Sequence, residues 1–190
     1  MTNIFSEIEE KVFFKEEILF EEDKIKSFIF DFLITKINEK EGSQKGFYFE
    51  EIIYDFFEYM NIPIIKSKKT RDFGIDGIVK FKIGFLGEID LGLQIKYKTI
   101  DSTDVDLFLS ALKNSELQLG VMVCKDSRNL TKYELNSKLK AILFSRGIKI
   151  KEKLIDKEIN LNPLFVLKFI DMIEIVTLEI RSFIRGVYKK

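Results

Sequence analysis

A change in the spacing of apolar residues constrains the fold of this chain more than any other feature. Apolar residues recur every three or four positions over 47–60, which predicts one amphipathic helix. They alternate with other residues over 75–83 and again over 89–97, which predicts two β-strands. Only a short turn at 84–87 joins these strands, so we expect an antiparallel hairpin after the helix.

The later part of the chain predicts parallel strands joined by helices. The continuous apolar run 119–124 is typical of a strand buried on both faces, and it comes after a predicted helix at 103–116. A helix at 130–146 and a short strand at 148–151 come next, before a largely apolar helix at 163–187. We therefore expect an α/β fold, in which a central mixed sheet is flanked by helices.

Helical extensions are predicted at both ends of this core. Apolar residues at helical spacing predict two helices within 4–40, and the polar segment 41–46 separates them from the core. We place an N-terminal extension at 1–45, the core at 46–155 and a C-terminal helix at 156–190. That last helix is apolar nearly all round, so it either packs between the sheet and the N-terminal helices or forms the seam of a homodimer.

The composition excludes several kinds of catalytic site. The 190 residues include no His and a single Cys, Cys124. Without His there is no Ser-His-Asp or Cys-His catalysis and no Cys/His zinc site. Any metal site must therefore be lined by oxygen, which suits Mg²⁺, Mn²⁺ or Ca²⁺. The single Cys fits a reducing, cytoplasmic setting, and the sequence shows no signal peptide and no membrane span.

Polar side chains of the predicted hairpin and helix can converge on such a site. Asp76 begins the first strand, and Gln94 and Lys96 share one face near the end of the second. Glu50, which we expect in the first turn of the preceding helix, joins them if that helix packs on the sheet. A divalent cation could take oxygen ligands from Asp76, Gln94 and Glu50 and would activate a water for attack on a phosphate. Lys96 would orient that water or stabilise developing negative charge.

Three short segments carry a resemblance to a known family. They are Gly-Phe-Tyr-Phe-Glu at 46–50, Asp-Phe-Gly-Ile-Asp-Gly at 72–77 and Gln-Ile-Lys at 94–96. In this order they resemble the Mrr-type restriction endonuclease catalytic domain of the PD-(D/E)xK nuclease superfamily. The pattern of that family is G-x-x-F-E, then D-x-G-I-D-G, then Q-x-K in place of the commoner E-x-K. The resemblance covers roughly residues 46–155.

This resemblance implies a restriction-endonuclease-like fold and an activity. The activity is Mg²⁺- or Mn²⁺-dependent hydrolysis of DNA phosphodiester bonds, in restriction, defence or DNA processing. Asp76, Gln94 and Lys96 would form the catalytic set, and Glu50 the supporting acid. A homodimer is expected, because cutting both strands of a duplex favours two sites related by a two-fold axis.

Two alternatives stay open. Because Gln94 stands where the commoner pattern has an acid, the chain could be a catalytically degenerate nuclease-fold protein that acts as a nucleic-acid-binding or scaffold subunit. It could also be a nuclease for RNA or branched DNA.

A basic run precedes the acidic site. The 31 basic and 31 acidic residues leave a formal net charge of zero, which argues against a strongly basic nucleic-acid binder but allows a local basic groove. The run is either a solvated loop or a clamp for DNA phosphates, and Lys98 could extend it. Its members are Lys66, Lys68, Lys69 and Arg71.

Overall fold

A computed structural model gives the architecture of most of the chain. The described residues are 3–14, 21–67, 74–83, 87–130, 132–133 and 164–188. The helix predicted at 130–146 lies almost wholly outside them, and so does the whole strand predicted at 148–151. The turn expected at 84–87 is described only at its last residue.

Five strands form one mixed sheet in the described part of the chain. In sheet order they are β1 (Ile64–Lys66), β2 (Gly77–Ile83), β3 (Gly87–Ile100), β4 (Leu119–Ser127) and β5 (Leu164–Lys168). The first three strands are antiparallel neighbours, whereas β4 runs parallel to β3 and to β5. Gly77 stands opposite Leu93 in the β2–β3 hairpin. The predicted hairpin and the predicted α/β class are both confirmed.

Helices cover both faces of this sheet. They are α1 (Ile4–Phe13), α2 (Glu22–Asn38), α3 (Gln44–Tyr59), α4 (Ser102–Asn114) and α5 (Phe169–Tyr188). Helices α1, α2, α3 and α5 share one hydrophobic core with one face of the sheet, and α4 packs on the other face. The two helices predicted within 4–40 are confirmed. None of the described helices is long and apolar enough to cross a bilayer.

The predicted helix at 163–187 is wrong at its start. Residues 164–168 form β5, and α5 begins only at Phe169. The four residues 164–167 are all buried, because each face of β5 packs into one of the two hydrophobic clusters, and a continuous apolar run suits a strand in that position. Asp171 then fixes the start of α5, since its Oδ2 accepts a hydrogen bond from the Lys168 N–H at 2.9 Å.

The C-terminal helix is covered by the N-terminal helices. Helix α5 packs chiefly against α2, and Arg181 forms an ion pair with Glu22. Of the two predicted arrangements, the structure has the one in which this helix lies between the sheet and the N-terminal helices. Leu178 and Phe183 remain about half exposed on its outer surface. The predicted domain boundaries stay a prediction, although the extensions and the core bury one common cluster.

Glycines allow α4 to approach the middle of the sheet closely. A Cβ at Gly92 of β3 would collide with the Leu112 side chain of α4. A Cβ at Gly120 of β4 would lie 2.6 Å from Leu112 Cδ1, which is also too close. The packing of α4 therefore requires glycine at both positions. Because Gly92 faces α4, the neighbouring even-numbered residues of β3 lie on the face that α4 covers.

Candidate active site

The site is centred on Asp76, directly before β2. The Asp76 N–H donates to the Leu93 carbonyl at 2.7 Å, which continues the pairing of the hairpin. The Asp76 carboxylate accepts a hydrogen bond from the Ile95 N–H at 2.6 Å through Oδ2. One carboxylate oxygen is therefore held against β3, between Gln94 and Lys96, as the hairpin predicts.

Gln94 is locked by one end of its amide and unsatisfied at the other. Its Nε2 donates to the Gly74 carbonyl at 2.6 Å, and the side chain is only 6% exposed. This bond fixes the amide orientation, because a carbonyl oxygen can accept only from the nitrogen. Oε1 is buried and has no hydrogen-bond partner among the described residues. A buried oxygen in that state costs about 1–3 kcal/mol unless a ligand takes it.

Gly74 makes this lock possible. Its φ of +88° lies in the left-handed region that favours glycine, and a Cβ there would lie 3.1 Å from Gln94 Nε2. The first glycine of the D-x-G-I-D-G motif therefore both turns the chain and leaves room for the Gln94 amide.

Glu50 reaches the site from α3 through a tyrosine. Its Oε1 accepts a hydrogen bond from the Tyr54 hydroxyl at 2.8 Å, and the same hydroxyl lies 3.0 Å from the Asp76 carbonyl oxygen. Because α3 begins at Gln44, Glu50 lies in its second turn and not in the first turn as predicted. The helix dipole therefore contributes little to holding this carboxylate, and the Tyr54 hydroxyl is its hydrogen-bond donor among the described residues.

Tyr54 is a residue of the site that the sequence patterns did not reveal. Burial raises the pKa of its phenol well above the usual value, and the hydrogen bond to Glu50 and the negative charges of Glu50 and Asp76 raise it further. The hydroxyl therefore stays protonated and able to donate near neutral pH. Its position four residues after Glu50 on an amphipathic helix was the available signal, since such residues share one helix face.

Lys96 stands beside Gln94 on the face covered by α4. The β3–β4 register places these two residues opposite Met122 and Cys124, whose side chains are buried beneath that helix. The Lys96 side chain is half-buried, and its ammonium makes no hydrogen bond or ion pair with any residue that the structure describes. Glu50 belongs to α3, on the opposite face, and it approaches the hairpin through Tyr54, whose hydroxyl lies beside the Asp76 main-chain carbonyl.

The predicted DNA-contacting residues fall into three groups. Lys66 lies beside the site, with Nζ 4.1 Å from the centroid of the Tyr54 ring. Lys98 forms an ion pair with Asp104 at the start of α4, at 2.7 Å. Lys68, Lys69 and Arg71 lie outside the described residues, as does Asp72 of the second motif.

The donors that the sequence predicts for a metal ion are two carboxylates and one amide oxygen. No group of three or more His, Cys, Asp or Glu side chains that could hold a metal ion occurs among the residues described. Glu50 and Asp76 with Gln94 are not such a group, because the third donor is an amide. Oxygen donors alone suit hard cations such as Mg²⁺ and Mn²⁺, and the unsatisfied Gln94 Oε1 fits the same chemistry.

Comparisons with known proteins agree with the three motifs. The family model Mrr_cat, described as a restriction endonuclease, matches residues 43–146, which is more than half of the chain and contains all three segments. No curated protein matches the chain. One similar solved structure is the DNA modification-dependent restriction endonuclease AspBHI, with a TM-score of 0.37 and 14% sequence identity. That likeness covers 100% of this chain and 41% of AspBHI, so the chain spans about two fifths of that protein's length.

Proposed function

Because the chain belongs to the Mrr catalytic-domain family of restriction endonucleases, we propose that it is a metal-dependent endonuclease that hydrolyses DNA phosphodiester bonds. The observation that carries this proposal is the buried, unpartnered Oε1 of Gln94, one residue before the N–H that holds Asp76. A carbonyl oxygen without a partner beside a fixed carboxylate is what a site for a hard cation requires.

Glu50, Asp76 and Gln94 would hold the metal, and Mg²⁺ or Mn²⁺ fits their oxygens. When bound, such an ion lowers the pKa of a coordinated water and neutralises charge on the scissile phosphate. Hydrogen bonds within the protein fix two of these side chains: the Ile95 N–H holds the Asp76 carboxylate, and the Gly74 carbonyl holds the Gln94 amide. Both ligands are therefore in place before substrate arrives, which lowers the cost of assembling the site.

Lys96 would supply a positive charge in addition to that of the metal. The Lys96 side chain is half-buried and its ammonium is unpaired within the described part of the chain, so it can donate to a phosphate oxygen or to the attacking water. In a site that is partly shielded from solvent, this charge acts more strongly on a developing anion than it would in water. Lys96 is therefore the residue we propose for stabilising negative charge on the scissile phosphate.

Lysines outside the metal site would hold the DNA backbone. Lys66 is exposed at the edge of the site. Lys98 is exposed as well, so its ammonium can turn from Asp104 towards a phosphate. Lys68, Lys69 and Arg71 belong to this proposal on sequence grounds alone. Such contacts position a duplex without reading its sequence.

A homodimer and a role in restriction, defence or DNA processing complete the proposal. Because α2 covers part of α5, a two-fold dimer through this helix would use its outer surface, where Leu178 and Phe183 are half exposed. Light scattering coupled to size exclusion tests the dimer, and a panel of duplex DNA, branched DNA and RNA tests the substrate class.

Cleavage of supercoiled plasmid tests the function. Wild-type protein should cut only with Mg²⁺ or Mn²⁺, and Asp76→Ala and Lys96→Ala should each lower the rate by about 10²–10³-fold, as removal of one charge-stabilising group does in other enzymes. Lys80→Ala is the matched control, because Lys80 lies in the same hairpin and pairs with Glu88 and Asp90. Equal cleavage by wild type and both site variants would refute the proposal. Binding of DNA without cleavage or Mn²⁺ heat would favour the degenerate alternative.

A further inference from the structure

We propose that Tyr54 is a positioning residue that holds the Glu50 carboxylate at the proposed metal site, beside the main-chain carbonyl of Asp76. This inference rests on the proposed function and adds a residue that the three family motifs do not contain.

The Tyr54 hydroxyl lies within hydrogen-bond distance of two acceptors. It lies 2.8 Å from Glu50 Oε1 and 3.0 Å from the Asp76 carbonyl oxygen. A hydroxyl has one proton, and the charged carboxylate is both the nearer and the stronger acceptor. The bond to Glu50 uses only Oε1, and no described residue donates to Oε2. Glu50 is thus oriented with one oxygen left for a ligand.

The ring of Tyr54 has a separate task. Tyr54 is only 7% exposed, so its ring is fixed by packing, and Lys66 Nζ lies 4.1 Å from the ring centroid. An ammonium over an aromatic face is attracted by the ring quadrupole. The ring therefore sets the place of a proposed phosphate contact, while the hydroxyl sets the place of a proposed metal ligand. Tyr54→Phe separates these tasks, because it removes the hydroxyl and keeps the ring.

The same helix offers a matched control. Tyr59, five residues later on α3, is 5% exposed, and its hydroxyl donates to Glu9 Oε2 at 2.5 Å. Tyr59→Phe therefore removes the same atom from a similar buried bond to a carboxylate. That bond joins α3 to α1 and does not involve the site, so the substitution reports the general cost of losing such a bond.

The test compares Mn²⁺ binding and plasmid cleavage across five full-length proteins. They are wild type, Tyr54→Phe, Tyr59→Phe, Glu50→Ala and the double variant Glu50→Ala/Tyr54→Phe. We expect Tyr54→Phe to weaken Mn²⁺ binding by about 10–100-fold, the usual loss when the hydrogen-bond partner of a metal ligand is removed. Cleavage should fall in proportion at low Mn²⁺ and recover at saturating Mn²⁺. Tyr59→Phe should match wild type in both measurements.

The double variant shows whether Tyr54 acts through Glu50. If it does, Glu50→Ala/Tyr54→Phe should bind Mn²⁺ no more weakly than Glu50→Ala. Additive losses, or Tyr54→Phe with wild-type Mn²⁺ affinity, would overturn this inference and leave the proposed function standing. A wild-type chain that neither binds Mn²⁺ nor cuts DNA overturns both. Circular dichroism melts of the five proteins verify that each is folded at the assay temperature.

Discussion

Replacing Gln94 with glutamate is the most direct test of why position 94 carries an amide. The substitution Gln94→Glu restores the commoner E-x-K pattern and adds a negative charge. It also removes the nitrogen that donates to the Gly74 carbonyl at 2.6 Å, and it puts a carboxylate oxygen against that carbonyl. Loss of such a buried bond costs about 1–3 kcal/mol. We therefore expect the metal-free variant to be less stable than wild type.

The size of this effect can be set against that of bound metal. A loss of about 2 kcal/mol lowers the Tm of a domain of this length by roughly 4–8 °C. A ligand at about 100 times its Kd returns about 2.7 kcal/mol. The added carboxylate should strengthen cation binding, so Mn²⁺ should raise the Tm of Gln94→Glu by more than it raises the Tm of wild type. Because wild type gains stability from Mn²⁺ as well, only the tighter binding narrows the gap, by about 1.4 kcal/mol for a tenfold lower Kd.

The loss in the metal-free variant should depend on pH. Burial raises the pKa of a carboxyl group in the folded state, so the folded variant binds a proton more readily than the unfolded chain does. Its stability is therefore retained at low pH and lost as the pH rises through the raised pKa. A protonated carboxyl group at position 94 can also donate to the Gly74 carbonyl. We expect a smaller Tm difference from wild type at pH 5 than at pH 8.

Thermal melts in chelator and in Mn²⁺, at both pH values, measure these effects. Gln118→Glu serves as the control, because Gln118 is exposed and the same chemical change there should leave the Tm unchanged. A Gln94→Glu variant that melts with wild type in chelator would show that the amide does not hold Gly74. A variant that Mn²⁺ stabilises no more than wild type would show that Oε1 is not a ligand.

Two further substitutions test the packing of α4 and the DNA contact. Gly92→Ala should lower the free energy of unfolding, measured in urea, by about 1–3 kcal/mol, because its Cβ would collide with Leu112. Gly186→Ala in α5 is the control: its Cβ meets nothing within 4 Å, so it should raise the free energy of unfolding by about 0.5–1 kcal/mol. A Gly92→Ala variant more stable than Gly186→Ala would contradict the close approach of α4. Lys66→Ala should weaken duplex binding and reduce the slope of the logarithm of the binding constant against the logarithm of the salt concentration by about 1. Lys80→Ala is the control. A slope for Lys66→Ala equal to those of wild type and Lys80→Ala would exclude a phosphate contact by Lys66.

Local patterns in the sequence were sufficient to place the Asp76–Gln94 pair. The alternation over both strands and the short turn between them fix the hairpin register, which puts Gly77 opposite Leu93 and Asp76 at the next position. The α/β class is predictable for the same reason, because each strand and helix has its own periodicity. These inferences needed no contact between distant parts of the chain.

Features that depend on distant contacts were not predictable in this way. The apolar run 164–167 has no periodicity that would distinguish a strand from a buried helix. Its parallel pairing with β4 is what makes it a strand. The start of α3 at Gln44 is a shift of three residues, typical of helix ends. The role of Tyr54 depends on the packing of α3 near the carbonyl of Asp76, a residue that lies 22 positions after Tyr54 in the chain.

The amide at position 94 combines two tasks that a carboxylate cannot combine. It donates to the Gly74 carbonyl and still offers an oxygen, whereas a carboxylate offers oxygen only. A third acid near Glu50 and Asp76 would also add a like charge in a partly buried site, which destabilises the metal-free protein. With glutamine the metal-free site carries two acids, each with a hydrogen-bond donor. For the proposed metal site, the Q-x-K variant therefore favours an arrangement that is folded and ordered before a cation binds, at the expense of one unit of charge for binding it.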